Sequence, residues 1–580
     1  MAKISKAVKI DLFDRFSTEK KKRFLKENSM PLERLLVRYA LIPNIMITPG
    51  KPGKPKDLCL QKNYRPIALL SAFRKLYEII LSSRILKHVQ LNQAQFGFLS
   101  GRSTSDCIFL LIEAILEARY VVRGPRNGRN QRLYAAFLDF KGAFDGVPRE
   151  LMWQKMSERF GIRGKLLRVI IDLYTDTSGQ AIVNDLYTQR FPILSGVLQG
   201  SVLGPTLFLL FLDDLLDELH ESLLGISMGD FILSVLAYAD DVTLLSLDTK
   251  NLQQLLDICN SWAIANGMIF GLDKCFAVVF NSRTKKTEAL PTFYLGGTKT
   301  CPNLLSTFYP ENAPELYLGM KITDQVARTK IDITSRLPCS IVPNYRRKPN
   351  QAYLKLIKSR FLRARQGTCL LCPNKRILTP NISTRLYKTL QRSTLLYGIE
   401  IADWDIDQIR ELEILQAKAL RSCLNFDLQC PQALVRLFSG VEPIEARRDL
   451  HVLLYYAKLC SYDPPSFLSM VHLARTSKSA MPVSFHCTAL RIFNKYKLGH
   501  FWNNIPDVPH DKLIAIFKKQ IWLQHWFKDV ASASCYDSSF STAFLKDECQ
   551  PTFPYKTDHF MKYFVTPDLP RSELSSRLRF

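Results

Sequence analysis

Residues 236–246 read LAYADDVTLLS, with Asp240 and Asp241 side by side between two runs of Val, Leu, Thr and Tyr that suit β-strands. Two adjacent carboxylates at the tip of an apolar hairpin restrict the fold more than any other feature of the chain. Asp is a common turn residue, and turn chemistry alone accounts for most such pairs. A second aspartate changes that balance. Asp139 ends another apolar run, LYAAFLDF, where a buried charge is costly unless something positive meets it. If the two strands lie side by side, Asp139 and Asp240 come together, and like charges at contact repel unless a divalent cation sits between them.

The rest of the chain can house such a site. Its 580 residues, 47% of them hydrophobic, suffice for two or three globular domains. Lys and Arg number 79 against 53 Asp and Glu, a net charge of +26 that favours phosphate polyanions or acidic surfaces, although charge for solubility alone gives the same total. The start, MAKISKAVKIDLFDRF, has no apolar core and is not a secretory signal. The most apolar run, PTLFLLFLDDLL from Pro205, meets two aspartates before it can span a bilayer, so no membrane partner is expected. Fourteen scattered cysteines suit reduced thiols inside a cell. Cys369 and Cys372 form a lone CxxC, from which no zinc site is expected.

Periodicity divides the chain. Residues 1–41 form a basic extension with KKKR at 20–23, either a solvated helix face or a nuclear-import signal. TPGKPGKPKD (48–57) and VVRGPRNGRNQR (121–132) read as basic loops. In FRKLYEIILSSRIL, Leu76, Ile79 and Ile80 predict one face of an amphipathic helix. A helix is expected from Pro205 through TLFLLFLDDL, another with Leu252, Leu255, Leu256, Cys259 and Trp262 on one face, and a strand at AVVF (277–280). From about 345 the pattern turns helical. Leu354, Ile357 and Phe361 predict a buried stripe flanked by Lys355, Lys358, Arg360 and Arg363, which suit a phosphate backbone or an ordinary basic surface. Leu412, Leu415 and Ala419 mark a further helix, and the last hundred residues are left unassigned.

Five stretches, NYRPIALL (63–70), QFGFLSGRST (95–104), FLDFKGAFD (137–145), GVLQGSVLGPTLF (196–208) and YADD (238–241), together resemble the reverse transcriptases of non-LTR (LINE-type) retrotransposons. The resemblance runs from about 42 to 322, and more weakly through YKTLQRSTLLYGIEIADW (387–404) to about 460. It implies an α+β right-hand polymerase with fingers and palm over 42–322, a helical thumb or connection over 323–480, a mostly helical C-terminal half, and a region of unknown role at 481–580. The implied activity is RNA-directed DNA synthesis from a primer 3′-hydroxyl with dNTPs, RNA template and DNA primer being the partners and the nucleus the place of action. Two Mg²⁺ ions, with Mn²⁺ as an alternative, are the implied cofactors.

By the same resemblance Asp139 and Asp240 are the principal metal ligands, Asp241 supports them, and Lys274 protonates pyrophosphate. Phe144 matches an aromatic gate against the ribose 2′-hydroxyl, and Gln199 and Gly200 match an element near template and incoming base. Arg65, with Lys54 or Lys75, is implied on the triphosphate, and Tyr317, Leu318 and Gly319 as the primer grip. Gly142 and the stretch 281–315 depart from the family pattern. Full LINE-type proteins carry an endonuclease, for which this chain leaves no room, and a C-terminal Cys/His cluster, whose lead-in RSELSSRLRF resembles; a fragment or a degenerate copy is thus expected. Two rivals remain: a catalytically silent nucleic-acid-binding relic, and an intron-like maturase.

Overall fold

The computed structural model of the chain describes residues 44–47, 67–120, 131–183, 186–281, 289–297, 302–310, 317–322, 350–371, 380–402, 404–462, 466–477, 485–502, 505 and 508–534. Arg65, Lys54, the KKKR run and Cys372 lie outside them, as does the side chain of Cys369. The fold is α+β with a mostly helical second half.

A six-stranded sheet carries the three aspartates. Its spatial order is Phe293–Gly297, Pro302–Phe308, Phe276–Phe280, Leu133–Leu138, Asp241–Ser246 and Val235–Tyr238. Strand Leu133–Leu138 is central, with Phe137 opposite both Thr243 and Phe276. Its neighbours are buried along almost their whole length, so their sequences read as near-continuous apolar runs rather than alternating ones. Helices Thr104–Tyr120, Leu203–Glu221 and Thr249–Ala265 pack on this sheet. In the last of these, Leu252, Leu255, Leu256, Cys259 and Trp262 are all buried, as their spacing predicts.

Helix Leu203–Glu221 starts two residues ahead of Pro205, which falls in the first turn, where its missing N–H is not needed. Glu78 caps it. One carboxylate oxygen accepts from Ser201 Oγ and Val202 N, each at 2.8 Å, placing an anion at the positive end of the helix. That role explains a departure from expectation in helix Ala72–His88. Its buried face is Arg74, Tyr77, Glu78, Leu81 and Ile85, while Ile79 is exposed. The Arg74–Glu78 ion pair takes the inward positions, so a stripe read from apolar residues alone was rotated.

A smaller sheet is ordered Ile67–Leu69, Asn44–Ile47, Ser178–Val183 and Leu186–Tyr187, with Phe191–Pro192 paired to Ser178–Val183. Beyond the sheets, helix Gln351–Leu371 buries Leu354, Ile357 and Phe361 as expected. Helices continue past 480. Phe485–Lys495 and His510–Ser534 pack on Ile444–Cys460, so much of the unassigned tail belongs to the helical half. That half is bound to helix Thr104–Tyr120 by buried ion pairs: Arg475 with Glu113 and Glu117, each at 2.6 Å, and Lys458 with Asp106 at 2.7 Å.

Candidate active site

Asp241 pairs with Tyr238 across the hairpin, leaving Ala239 and Asp240 as a two-residue turn. Such turns need backbone with positive φ, and Ala239 adopts +57°. Opposite, Val242 pairs with Leu138, so the next residue of each strand, Asp241 and Asp139, fall at the same end of the sheet. Asp240 is half-buried and Asp241 exposed. The sequence expectation that the two strands are neighbours is met.

Lys274 reaches the same end. Its ammonium pairs with Asp139 Oδ2. The loop bearing it folds onto Asp139, whose carbonyl accepts from Gly271 N at 2.8 Å and whose N–H points to Cys275 Sγ at 3.4 Å. Burial works against the charge on Lys274, but the bond to Asp139 and the fields of Asp139, Asp273 and Asp240 hold the ammonium above the usual lysine range. One ammonium thus balances several carboxylates.

Carboxylate oxygens at the ends of adjacent strands are suitable donors for a hard divalent cation. The cluster is not closed, however: among the described residues no three His, Cys, Asp or Glu side chains are gathered to hold a metal ion, and Asp139 is drawn to Lys274 instead.

Phe144 stands on the turn of helix Ala143–Gly146, reached through Gly142 at φ +65°. Its ring stacks on Phe208 at 5.1 Å and meets the edge of Phe98 at 6.2 Å. Gln199 is held by Asp145, donating to its two oxygens at 3.2 and 3.1 Å. Gly200 adopts φ +101°, and a Cβ there would lie 2.5 Å from Ala68 O, so this loop touches strand Ile67–Leu69 through backbone that only glycine allows. Lys75 occupies the first turn of helix Ala72–His88, next to the Arg74–Glu78 pair that supports residues 201–203.

Tyr317, Leu318 and Gly319 form a tight turn bridged from Tyr317 to Met320, with φ +44° at Leu318 and +83° at Gly319. Tyr317 packs on Phe137 of the central strand at 5.2 Å. The turn is grasped from the helical half: Tyr397 OH donates to Leu318 O, and Arg360 Nη1 to Gly319 O at 2.7 Å. Arg360 therefore does not belong to the outward basic face expected of its helix. Lys358 is paired with Glu411, and Lys355 and Arg363 are the exposed members.

Four residues escaped sequence reasoning. Arg360 and Tyr397 hold the 317–319 turn, and no local pattern signals a contact across that separation. Gln95 and Gly97 hold the Ala239 turn: Gln95 Oε1 accepts from Ala239 N and Gly97 N, each at 2.8 Å. Both sit inside QFGFLSGRST, where an apolar segment carrying a Gln and a Gly at alternate positions was the available signal.

The profile of the family described as "Reverse transcriptase (RNA-dependent DNA polymerase)" matches residues 51–322. The RNA-directed DNA polymerase from mobile element jockey of Drosophila melanogaster is 26% identical over 385 residues, 64% of this chain and 36% of that protein. The probable RNA-directed DNA polymerase from transposon BS of the same fly is 27% identical over 64% of this chain and 37% of its own length. The chain thus spans little more than a third of these relatives. Among solved structures, telomerase from Candida albicans in complex with a TWJ fragment of telomeric RNA is 12% identical, covering 90% of this chain and 66% of that one, with a TM-score of 0.36. Among the described residues, no helix is long and apolar enough to cross a membrane.

Proposed function

We propose, with residues 51–322 a reverse transcriptase domain of the non-LTR retrotransposon type, that this chain is an RNA-directed DNA polymerase, extending a DNA primer along an RNA template with dNTPs. The observation that carries the reading is the arrival of Asp139, Asp240, Asp241 and Lys274 at one end of one sheet.

Reverse transcriptases work with divalent metal. Asp139 and Asp240, with Asp241 beside them, are the residues to hold two Mg²⁺ ions, or Mn²⁺, which when bound activate the primer 3′-hydroxyl and stabilise the charge on the leaving pyrophosphate. The chain's own groups do the rest. Lys274 keeps its proton at neutral pH and can deliver it from Nζ to the departing pyrophosphate oxygen. Phe144, backed by Phe208, presents a rigid ring to the sugar and rejects a 2′-hydroxyl. Gln199 and Gly200 border the template and incoming base, Arg65 with Lys54 or Lys75 meets the triphosphate, and the Tyr317–Gly319 turn holds the primer end. Lys355 and Arg363 add salt-sensitive contacts to the hybrid, whose A-form shape is read more than its sequence. Action in the nucleus goes with this role.

A catalytically silent, nucleic-acid-binding relic has one observation in its favour: Asp139 is paired with Lys274, and among the described residues it is not gathered with two further ligands. Incorporation of dTTP on oligo(dT)-primed poly(rA), with Mg²⁺ present or chelated, separates the two. Metal-dependent synthesis supports the polymerase; a folded protein that binds the hybrid without synthesis supports the relic.

A further inference from the structure

We propose that Gln95 is a positioning residue for Asp240, and that the segment 95–98 couples the carboxylate turn to the ring that gates the sugar. The inference rests on the polymerase reading above and adds a residue to it.

The peptide that follows Ala239 carries Asp240, so the direction of the Asp240 carboxylate depends on how Ala239 is held. Ala239 is a non-glycine residue at φ +57°, a conformation that L-residues leave unless their surroundings enforce it. Three contacts enforce it. Gln95 Oε1 takes the Ala239 N–H at 2.8 Å, and Gln95 Nε2 lies 3.5 Å from Ala239 O, so one carboxamide addresses both polar groups of the residue. The main chain of 94–96 runs alongside the hairpin as a short extra strand, with Phe96 N donating to Ala237 O at 2.7 Å and Ala237 N to Ala94 O at 2.8 Å. Gly97 then presses on the turn so closely that a Cβ would lie 2.3 Å from Ala239 N.

Gln95 is 1% exposed, and a buried carboxamide needs hydrogen-bond partners. Here its acceptor is spent on the Ala239 turn and on Gly97, the residue that abuts it. The next residue, Phe98, is the opposite case: φ +56°, with a 54% exposed ring lying edge-on to Phe144. Four consecutive residues thus touch the metal-ligand turn at one end and the sugar gate at the other.

The test compares wild type with Gln95→Met, which keeps length and removes the acceptor, and with Gln95→Asn, which keeps polarity and withdraws it. Two readouts apply: Mn²⁺ binding to the free protein by electron paramagnetic resonance, and the ratio of dTTP to UTP incorporation on primed poly(rA). Both variants are expected to weaken Mn²⁺ binding by about tenfold, as loss of a group that orients a metal ligand does. Both variants leave the buried Ala239 and Gly97 N–H groups without that acceptor and so lower the thermal midpoint as well; Mn²⁺ binding is therefore read at a temperature where both are folded, and hybrid affinity stays near wild type. The dTTP preference falls in both, and in Phe98→Ala it falls without any change in Mn²⁺ binding. Wild-type Mn²⁺ binding in a folded Gln95 variant overturns the proposal. So does an unchanged dTTP preference in Phe98→Ala, for the coupling half. If wild type makes no DNA, the polymerase reading fails instead, and the Mn²⁺ arm still decides the role of Gln95.

Discussion

Lys274 and Asp139, far apart in sequence, form an ion pair at the carboxylate end of the central sheet. A lysine so placed offsets the repulsion between neighbouring carboxylates; under the proposed function it would serve as the general acid for pyrophosphate. Lys274→Ala is expected to lower kcat by about 100-fold, the lower range for loss of a general acid, with KM for the hybrid little changed. If Lys274 is the general acid, wild type is expected to show a limb in its rate–pH profile that Lys274→Ala lacks. A rate–pH profile that is identical in wild type and variant would remove Lys274 from the chemistry.

The 317–319 turn owes its place to the helical half. Tyr397→Phe deletes the hydroxyl's contacts with Leu318 O and with Thr104 Oγ1, and should cost about 1–2 kcal/mol of stability. Arg360→Ala frees Gly319 O. Products from either variant should be shorter at equal protein concentration, with the first nucleotide added at close to the normal rate. Gel analysis of single-encounter products measures this, and full-length products from both variants would sever the turn from primer handling.

Arg475 is buried between Glu113 and Glu117, joining the helical half to the helix that packs on the six-stranded sheet. Arg475→Met strands two buried carboxylates, at a cost of about 3–5 kcal/mol. Denaturant unfolding should show that loss, and the double change of Glu113 and Glu117 to Gln in the same background should recover part of it.

Burial, aided by nearby His472 and Arg475, pushes the His486 imidazole down to about 3, and burial pushes His451 to about 4. Both stay neutral in the fold where an unfolded histidine, at about 6.5, takes up a proton. Folded values below unfolded ones give stability that is whole above about pH 6.5 and is lost as pH falls toward the folded values. The thermal midpoint should therefore drop between about pH 6.5 and 4, and His486→Phe should flatten that slope. An equal slope in the variant would assign the acid sensitivity elsewhere.

What could be read from sequence was what local periodicity and turn chemistry encode. The hairpin at 235–246, the central strand ending at Asp139 and the five-residue face of helix Thr249–Ala265 all follow from spacing. The face of helix Ala72–His88 did not, because a buried ion pair replaced apolar residues at the inward positions. The tail helices were missed because their aromatic and basic residues gave no clean stripe until set against helix Ile444–Cys460. At the site, Asp139, Asp240 and Lys274 were legible as motif members, whereas Gln95, Arg360 and Tyr397 act by contacts with backbone of remote segments. Such contacts leave no spacing to detect.

Under the proposed function, Asp139 at the end of its strand and Asp240 in the hairpin turn run metal-dependent synthesis. Its most direct test is single-turnover addition of dTTP to primed poly(rA) already bound by wild type, Asp139→Asn or Asp240→Asn, at saturating Mg²⁺. Addition is expected from wild type alone, abolished by chelation, with all three proteins binding the hybrid alike. Addition at the wild-type rate by either variant, or none by a folded wild type that binds the hybrid, would contradict it.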